Sequence, residues 1–430
     1  MIFHLFQYLE SIGVDFPGMG LTGFLSFRAM AAAVTAVLIA MIAGKKIIRW
    51  LQLKQIGETV RDLGLEGQIQ KKGTPTMGGI IIILSIVSGV LLWCDLTNIY
   101  VILLLVSTLW CGALGFADDY RKVFKHNKEG MSEKGKLLGQ IVLGFIVGLT
   151  VWMSPDIVVR EKVEVKESVE RTLETETTVT SGRYVEEDVV KSTKTTIPFV
   201  KNHEFDYRWL SPVKGAWGWY AKWAIYVLMI VLVITACSNG TNLTDGLDGL
   251  AAGTSAIVGV VLGILAWLGG NLIDSNYLNI MYIPGSGEIA IFMSAFVGAL
   301  IGFLWYNSFP AQVFMGDTGS LTIGGVIGVS AVLMRKELLL PLLCGIFFVE
   351  SLSVLMQRFY FKYTRRKYGT GRRIWSMTPL HHHFQDKKAP EGPVLFPKPI
   401  PAQHEAKITI RFWIVGIILA VSTLALLKIR

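Results

Sequence analysis

Three short segments of this sequence combine carboxylates with glycines, a pattern that suits the chemistry of phosphate groups. They contain the adjacent pair Asp118 and Asp119, the pair Asp245 and Asp248 within residues 242–249, and Asp317 within residues 314–320. Mg²⁺ prefers oxygen ligands and usually binds one or two carboxylates together with substrate phosphates. The five carboxylates together predict a site for a divalent cation and a phosphate-bearing substrate. The first pair alone is equally consistent with a helix cap or an ion pair to Arg121.

Two further segments carry groups that could bind anions. Lys72 precedes a glycine-rich run at the start of an apolar segment, and the amides of a helix N-terminus bind phosphate. From this run alone, a positively charged membrane anchor is the simpler interpretation. His381, His382 and His383 are consecutive, so their side chains leave a helix in different directions and rarely bind one metal together. We expect one or two of these histidines to contact a diphosphate or a sugar.

The composition indicates that these residues are positioned by membrane helices. The chain has 430 residues, of which 52% are hydrophobic and 17% charged, whereas a soluble domain has about 25% charged residues. Apolar blocks of about 20 residues, long enough to cross the hydrocarbon core, recur along it. The net charge of +9 then indicates cytoplasmic loops and anionic lipid rather than nucleic acid. The four cysteines form no CxxC pair, which is typical of inert buried thiols.

The hydrophobic pattern predicts an all-α polytopic membrane protein with about ten transmembrane helices. The predicted spans are residues 22–44, 77–93, 98–117, 137–154, 217–237, 250–269, 289–307, 319–334, 338–360 and 408–427. Loops after the first and third spans and before the last are rich in Lys and Arg, whereas those around Asp95 and Asp274 contain neither. The positive-inside rule then places the basic loops in the cytoplasm and both termini outside. All three acidic segments face the cytoplasm in this topology.

One polar segment, residues 156–206, interrupts the predicted single transmembrane domain of residues 1–430 between the fourth and fifth spans. It alternates apolar and charged residues, as in Val163-Glu164-Val165-Lys166, and Ser181-Gly182 is a turn signal. Alternation with period two around a turn predicts a β-hairpin, and a disordered charged linker is the alternative. The topology places this segment on the outer, periplasmic side, across the membrane from the acidic segments, so we expect it to be dispensable for chemistry.

In combination, these segments resemble the phospho-N-acetylmuramoyl-pentapeptide transferases, within the polyprenyl-phosphate N-acetylhexosamine-1-phosphate transferases. The matching segments occur in the family's order and are residues 72–79, 118–119, 242–249, 314–320 and 381–383. The resemblance implies a Mg²⁺-dependent enzyme of the bacterial inner membrane with its active site facing the cytoplasm. It also implies transfer from UDP-N-acetylmuramoyl-pentapeptide to undecaprenyl phosphate, giving lipid I and UMP for peptidoglycan. The outer segment departs from the short connection usual in the family. The oligomeric state stays open, with a homodimer as one candidate.

The resemblance also implies roles for individual residues. The catalytic aspartates would be Asp118, Asp119 and Asp317, with Asp317 as the Mg²⁺ ligand and Asp118 as the residue proposed to deprotonate the lipid phosphate. The remaining matches would bind substrate: Lys72, Asn242, Asp245, Asp248 and Phe314 around the nucleotide, with Phe314 stacked on uracil, Lys128 and Lys136 at the phosphates, and His381 and His382 near the sugar phosphate.

Two other functions fit parts of this pattern. A sister enzyme that transfers N-acetylglucosamine-1-phosphate from UDP-GlcNAc shares the acidic motifs, but the continuous His381–His383 run favours the muramoyl-pentapeptide enzymes. A secondary transporter would also carry membrane carboxylates. Transporters usually place such groups near the midplane and often contain inverted repeats. Here the acids lie at the ends of predicted spans, and the sequence shows no internal repeat.

Overall fold

The computed structural model describes residues 1–14, 17–54, 73–125, 130–160, 189–197, 204–213, 215–278, 280–385, 393–396 and 402–427. Lys72, Lys128 and the predicted turn at Ser181-Gly182 lie outside these ranges. The described part is predominantly helical, which confirms the predicted fold class. Its helices are α1 Ile2–Ser11, α2 Leu25–Leu53, α3 Gly79–Trp93, α4 Ile99–Phe124, α5 Glu133–Met153, α6 Ala216–Thr244, α7 Leu250–Gly270, α8 Leu272–Leu278, α9 Gly287–Asn307, α10 Gly316–Leu333, α11 Leu340–Leu343, α12 Gly345–Tyr368, α13 Leu380–Gln385 and α14 Glu405–Leu426.

Each of the ten predicted spans overlaps a helix. Among the described residues, eight helices are long and apolar enough to cross a membrane: α2, α4, α5, α6, α7, α9, α10 and α14. A ninth span is broken, because the segment Glu337–Leu343 and helix α12 meet at an angle of 78°. The tenth predicted span corresponds to α3, an apolar helix of 15 residues, which is short for a span. The count of ten therefore stays a prediction.

Helix α10 lies at the centre of the bundle. Every residue from Thr318 to Leu333 is buried, and α3, α4, α6 and α7 pack around it. Small residues allow these close contacts. A methyl group on Gly324 would overlap the backbone carbonyl oxygen of Cys237 in α6, and one on Gly79 would overlap the backbone of Gly319. Glycine at such positions lets helix backbones approach closely, so the chain entering α10 is held by its neighbours.

Two helices extend past their predicted ends, and the extension matters for the site. Helix α4 was predicted to end at residue 117 but continues to Phe124, so Asp118 and Asp119 lie within it. Helix α6 was predicted to end at residue 237 but continues to Thr244 and includes Asn242. Hydropathy falls where a helix leaves the hydrocarbon, whereas its backbone hydrogen bonds continue into the polar region.

Short strands flank the helices. They are β1 Val159–Arg160, β2 Val189–Val190, β3 Lys194–Thr196, β4 Glu204–Asp206, β5 Arg373–Trp375 and β6 Val394–Phe396. The pairs β1–β2 and β3–β4 are antiparallel, and β5–β6 is parallel. The first two pairs belong to the segment 156–206. Its predicted hairpin turn lies outside the described residues, so the hairpin itself stays a prediction.

The described part of the 156–206 segment packs on the bundle beyond the C-terminal end of α10. The backbone amide of Thr196 and the hydroxyl of Thr195 both donate to the carbonyl oxygen of Arg335, at 2.9 and 3.0 Å. The Lys336 ammonium donates to the Thr196 hydroxyl at 2.5 Å, and the Tyr207 hydroxyl contacts Glu337 at 3.1 Å. All five side chains are buried, so this part of the segment covers a group of charges that would otherwise be exposed.

Candidate active site

The C-terminal part of α4 lies against the first turn of α10. A methyl group on Gly115 would overlap the backbone carbonyl oxygen of Asp317, so glycine permits this approach. One turn later, Asp119 accepts hydrogen bonds from the backbone amides of Asp317 at 3.1 Å and Thr318 at 2.9 Å. It also accepts one from the Thr318 hydroxyl at 2.6 Å. Asp119 therefore satisfies the unpaired amides at the start of α10, where a negative charge also interacts favourably with the helix dipole.

Asp118 points to the neighbouring helix α5 and joins a cluster of alternating charges. Its Oδ2 lies 2.6 Å from the Lys122 ammonium and 2.9 Å from the Lys136 ammonium. Both ammonium groups also contact Asp317 Oδ2, at 3.2 and 2.5 Å. The backbone amide of Met131 donates to Asp118 Oδ1 at 2.6 Å. Two lysines therefore bridge two carboxylates, and Asp118 pairs with Lys122 and Lys136 rather than with Arg121.

Asn242 completes the contacts of Asp317 from the last turn of α6. Its side-chain amide nitrogen lies 2.9 Å from Asp317 Oδ1 and 2.9 Å from the Ser320 hydroxyl. Asp317 thus uses one carboxylate oxygen for Asn242 and the other for the two lysines. The residues of this cluster come from the ends of α4 and α6 and the beginnings of α5 and α10. The structure brings five of the predicted residues together here: Asp118, Asp119, Lys136, Asn242 and Asp317.

The glycine-rich segment before α3 is hydrogen-bonded to the segment before α10. Phe314 donates its backbone amide to the carbonyl of Pro75 at 2.8 Å and accepts from the Gly78 amide at 2.8 Å. The Gly79 amide donates to the Met315 carbonyl at 2.9 Å. The Phe314 side chain is half-buried. These three backbone hydrogen bonds place the end of the segment that follows Lys72 beside Asp317. Lys72 itself lies outside the described residues.

The turn between α6 and α7 carries Asp245 and Asp248, which differ in exposure. Asp245 is half-buried where α6 ends. Asp248 is buried, and its carboxylate accepts the backbone amide of Ala311 at 3.0 Å. Its own amide donates to the Glu405 carboxylate at 2.7 Å. Asp248 therefore connects this turn to the loop that leads to Phe314.

The three histidines lie on the short helix α13. His381 and His383 are buried, whereas His382 is half-buried. The His381 ring lies against the α6–α7 turn, since a methyl group on Gly246 would overlap its Nε2 atom. Two carboxylate contacts hold this helix from α12: Glu350 accepts the amides of Leu380 at 2.6 Å and His381 at 3.2 Å. The histidine run is thus part of the same assembly as the acidic turn.

The acidic residues of the cluster could hold a metal ion. Ligand oxygens of Asp118, Asp119 and Asp317 lie within 4.8 Å of one another, and hard oxygen donors suit a divalent cation. The oxygens of Asp119 already accept amides of α10. By contrast, oxygens of Asp118 and Asp317 face the ammonium groups of the lysines. A divalent cation therefore fits best between Asp317 and Asp118, in place of a lysine contact.

Sequence reasoning missed two residues that the structure places in this assembly. Lys122 follows Asp118 by four residues on α4, a spacing that puts both side chains on one helix face, so the signal was present. Glu350 lies within a predicted span, where a charged residue is costly and marks a functional position by default. Lys128, like Lys72, lies outside the described residues.

Comparison with known proteins agrees with the family resemblance of the sequence motifs. Residues 71–83 match the phospho-N-acetylmuramoyl-pentapeptide-transferase signature 1, and residues 190–335 match glycosyl transferase family 4. Proteins named phospho-N-acetylmuramoyl-pentapeptide-transferase share 55% identity in Parabacteroides distasonis, 54% in Azobacteroides pseudotrichonymphae and 52% in Flavobacterium psychrophilum. Each alignment covers 100% of both chains, over 430 to 431 residues.

These alignments run over the whole chain and therefore include the segment 156–206. Because relatives with more than half of their residues identical match this sequence from end to end, the chain belongs to the phospho-N-acetylmuramoyl-pentapeptide-transferase family.

Proposed function

We propose that this chain transfers phospho-N-acetylmuramoyl-pentapeptide from its UDP carrier to undecaprenyl phosphate, which yields lipid I and UMP for peptidoglycan synthesis. The observation that carries the proposal is the cluster in which Lys122 and Lys136 bridge Asp118 and Asp317. Alternating charges at the ends of membrane helices suit a reaction between a water-soluble diphosphate and a lipid phosphate. The names of the full-length relatives support the same substrate pair.

Asp317, with Asp118 beside it, would hold Mg²⁺, which neutralises charge on diphosphate oxygens when it is bound. The two bridging lysines would contact phosphate oxygens, which would release Oδ2 of Asp118. That oxygen would then accept the proton of the lipid phosphate, while the Met131 amide holds Oδ1. Asp119 would act indirectly, because both of its oxygens fix the first turn of α10 and thereby the place of Asp317.

The substrate groups would extend from this cluster along the neighbouring segments. Lys72, Asn242, Asp245, Asp248 and Phe314 would form the nucleotide pocket. The backbone hydrogen bonds between residues 75–79 and 314–315 support this grouping, as does the contact of Asp248 with Ala311. Phe314 would stack on uracil. On the other side, His381 and His382 would lie near the sugar phosphate, and Lys128 with Lys136 near the phosphates.

The protein would reside in the bacterial cytoplasmic membrane with this site facing the cytoplasm. The distribution of basic residues among the loops supports that orientation. A cytoplasmic site also fits the proposed substrate, because a charged nucleotide sugar does not cross the membrane unaided. The segment 156–206 would then lie on the periplasmic side.

The test is UMP release by the purified protein from UDP-N-acetylmuramoyl-pentapeptide, with added undecaprenyl phosphate and Mg²⁺. We expect UMP to form only when both substrates are present, and EDTA to stop the reaction. Preferential turnover of UDP-N-acetylglucosamine would assign the chain to the sister activity instead. Absence of UMP with either nucleotide, from protein that remains monodisperse and folded, would refute the transferase proposal.

A further inference from the structure

A buried carboxylate in α12 has no part in the cluster described above. Glu350 is 0% exposed and lies six residues into α12, the longer part of the broken span. A charged group at this depth is costly unless its partners satisfy it, and such residues mark functional positions by default. The contacts of Glu350 therefore indicate the function of this buried carboxylate.

Within the described part of the chain, the Glu350 carboxylate contacts the beginning of the histidine run. Its Oε2 accepts the backbone amide of Leu380 at 2.6 Å, and its Oε1 accepts that of His381 at 3.2 Å. The same Oε2 lies 3.3 Å from Nδ1 of the His381 ring, although this pair lacks the geometry of a hydrogen bond. The carboxylate thus binds the backbone at the start of α13, which fixes the position of this helix, and it faces one edge of the His381 imidazole.

The opposite edge of the same imidazole faces the acidic turn between α6 and α7. Its Nε2 atom is buried, and among the described residues neither ring nitrogen has a hydrogen-bond partner. A methyl group on Gly246 would overlap this atom, so the ring fits only because position 246 is glycine. A carboxylate oxygen 3.3 Å from Nδ1 favours the tautomer with the proton on that nitrogen, because two lone pairs would otherwise face each other. That tautomer leaves Nε2 as the ring nitrogen that faces a ligand beside Asp245.

We propose that Glu350 is a positioning residue for the transfer reaction. It fixes the tautomer and orientation of His381 and docks the histidine run against the turn that carries Asp245 and Gly246. This inference rests on the proposed function, since it assigns His381 to the reacting side of the bound nucleotide sugar. Glu350 itself touches no substrate, and its effect passes through His381.

The main test compares Glu350→Gln with wild type for UMP release. Glutamine keeps the size of the side chain, but its NH₂ group is a hydrogen-bond donor at a position where a carboxylate oxygen accepts a hydrogen bond. We expect kcat to fall at least about tenfold, equivalent to about 1.4 kcal/mol in the barrier. The KM for the nucleotide substrate should change by less than about threefold, since the binding contacts remain. Glu350→Asp, which keeps the charge, should recover part of the loss.

A double-mutant cycle separates positioning from general damage. If Glu350 acts through His381, the variant Glu350→Gln/His381→Asn should be no slower than His381→Asn alone, because the two residues then act as one unit. Glu337→Gln is the matched control. Glu337 is an equally buried carboxylate in the outer part of the same broken span, where it contacts Tyr207 rather than the histidines. This control should lose stability without the loss of kcat.

A second pair of variants tests the same geometry if Glu350→Gln fails to fold. Gly246→Ala should lower kcat strongly, because the added methyl displaces the imidazole, but it should cost little in a His381→Ala background. Wild-type kcat in Glu350→Gln would overturn the inference, and so would multiplicative losses in either cycle. If wild type itself released no UMP, the proposed transferase function would be refuted. Wild-type turnover with an unaffected Glu350→Gln would refute only the positioning role.

Discussion

Replacement of Asp317 by Asn is the sharpest perturbation of the charge cluster. The side chain of Asp317 is only 13% exposed and contacts Lys122, Lys136 and Asn242. Asparagine preserves the size of the side chain and one oxygen that can accept the Asn242 amide. It removes the negative charge, and the new amide group then competes with the lysines for acceptors. The variant therefore changes electrostatics far more than packing.

The expected size of the defect follows from the charges in the cluster. The three carboxylates lie within 4.8 Å of one another, and both ammonium groups contact two of them, so these five side chains carry one net negative charge. Asp317→Asn brings that balance to zero, as Asp119→Asn also would, but it removes a carboxylate that faces the ammonium groups and is therefore oriented to bind a cation. Loss of one preorganised electrostatic group typically lowers the rate about 10²–10³-fold. We expect at least this loss in kcat, with a higher Mg²⁺ concentration required for half-maximal activity.

The assay is UMP release measured across a range of Mg²⁺ concentrations for wild type, Asp317→Asn and Asp119→Asn. Asp119→Asn is the matched comparison, since it removes an adjacent charge whose oxygens accept amides of α10. It should lower thermal stability and kcat while leaving the Mg²⁺ requirement closer to wild type. Near wild-type activity of Asp317→Asn at limiting Mg²⁺ would show that the cluster is not the cation site. Its role would then be structural.

Three further predictions concern the segment 156–206 and the membrane topology. Replacement of residues 161–188 by a short Gly/Ser linker should leave UMP release within about tenfold of wild type, and a larger loss in folded protein would contradict this. Thr196→Val should lower the free energy of unfolding by about 1–3 kcal/mol, because the buried Lys336 loses one of its hydrogen bonds; an unchanged thermal midpoint would contradict that contact. A cysteine introduced at position 178 should react with an external thiol reagent in intact cells, and one at 317 should not; the four native cysteines are buried. The reverse pattern would overturn the topology.

The sequence predicted the location of the membrane helices well because hydropathy reports burial in lipid directly. It could not predict the 78° break between Glu337–Leu343 and α12, since an apolar composition does not reveal the direction of a helix. It also placed the end of the third predicted span at residue 117, seven residues before the end of α4. That difference matters, because a helical backbone through Asp118 and Asp119 determines where each carboxylate points.

The candidate site was predicted to a similar extent. The type and spacing of the acids indicated a cation and a phosphate, and the structure brings Asp118, Asp119 and Asp317 together. The sequence did not indicate that Lys122 would bridge two of them, because Asp317 is 195 residues away along the chain. Likewise, Glu350 lies 31 residues before His381, and the pair comes into contact because the chain between α12 and α13 returns to α12.

The adjacent residues Asp118 and Asp119 show that residue type and folded geometry give different information. As a sequence, Asp118 and Asp119 are two equivalent carboxylates, and either could serve as ligand, base or cap. On a helix, consecutive residues point about 100° apart, so the two side chains must face different neighbours. Asp118 faces the lysines, whereas Asp119 faces the first amides of α10. Asp119 thereby holds in place the backbone that carries Asp317, so one acid of the pair supports the site and the other belongs to its charge cluster.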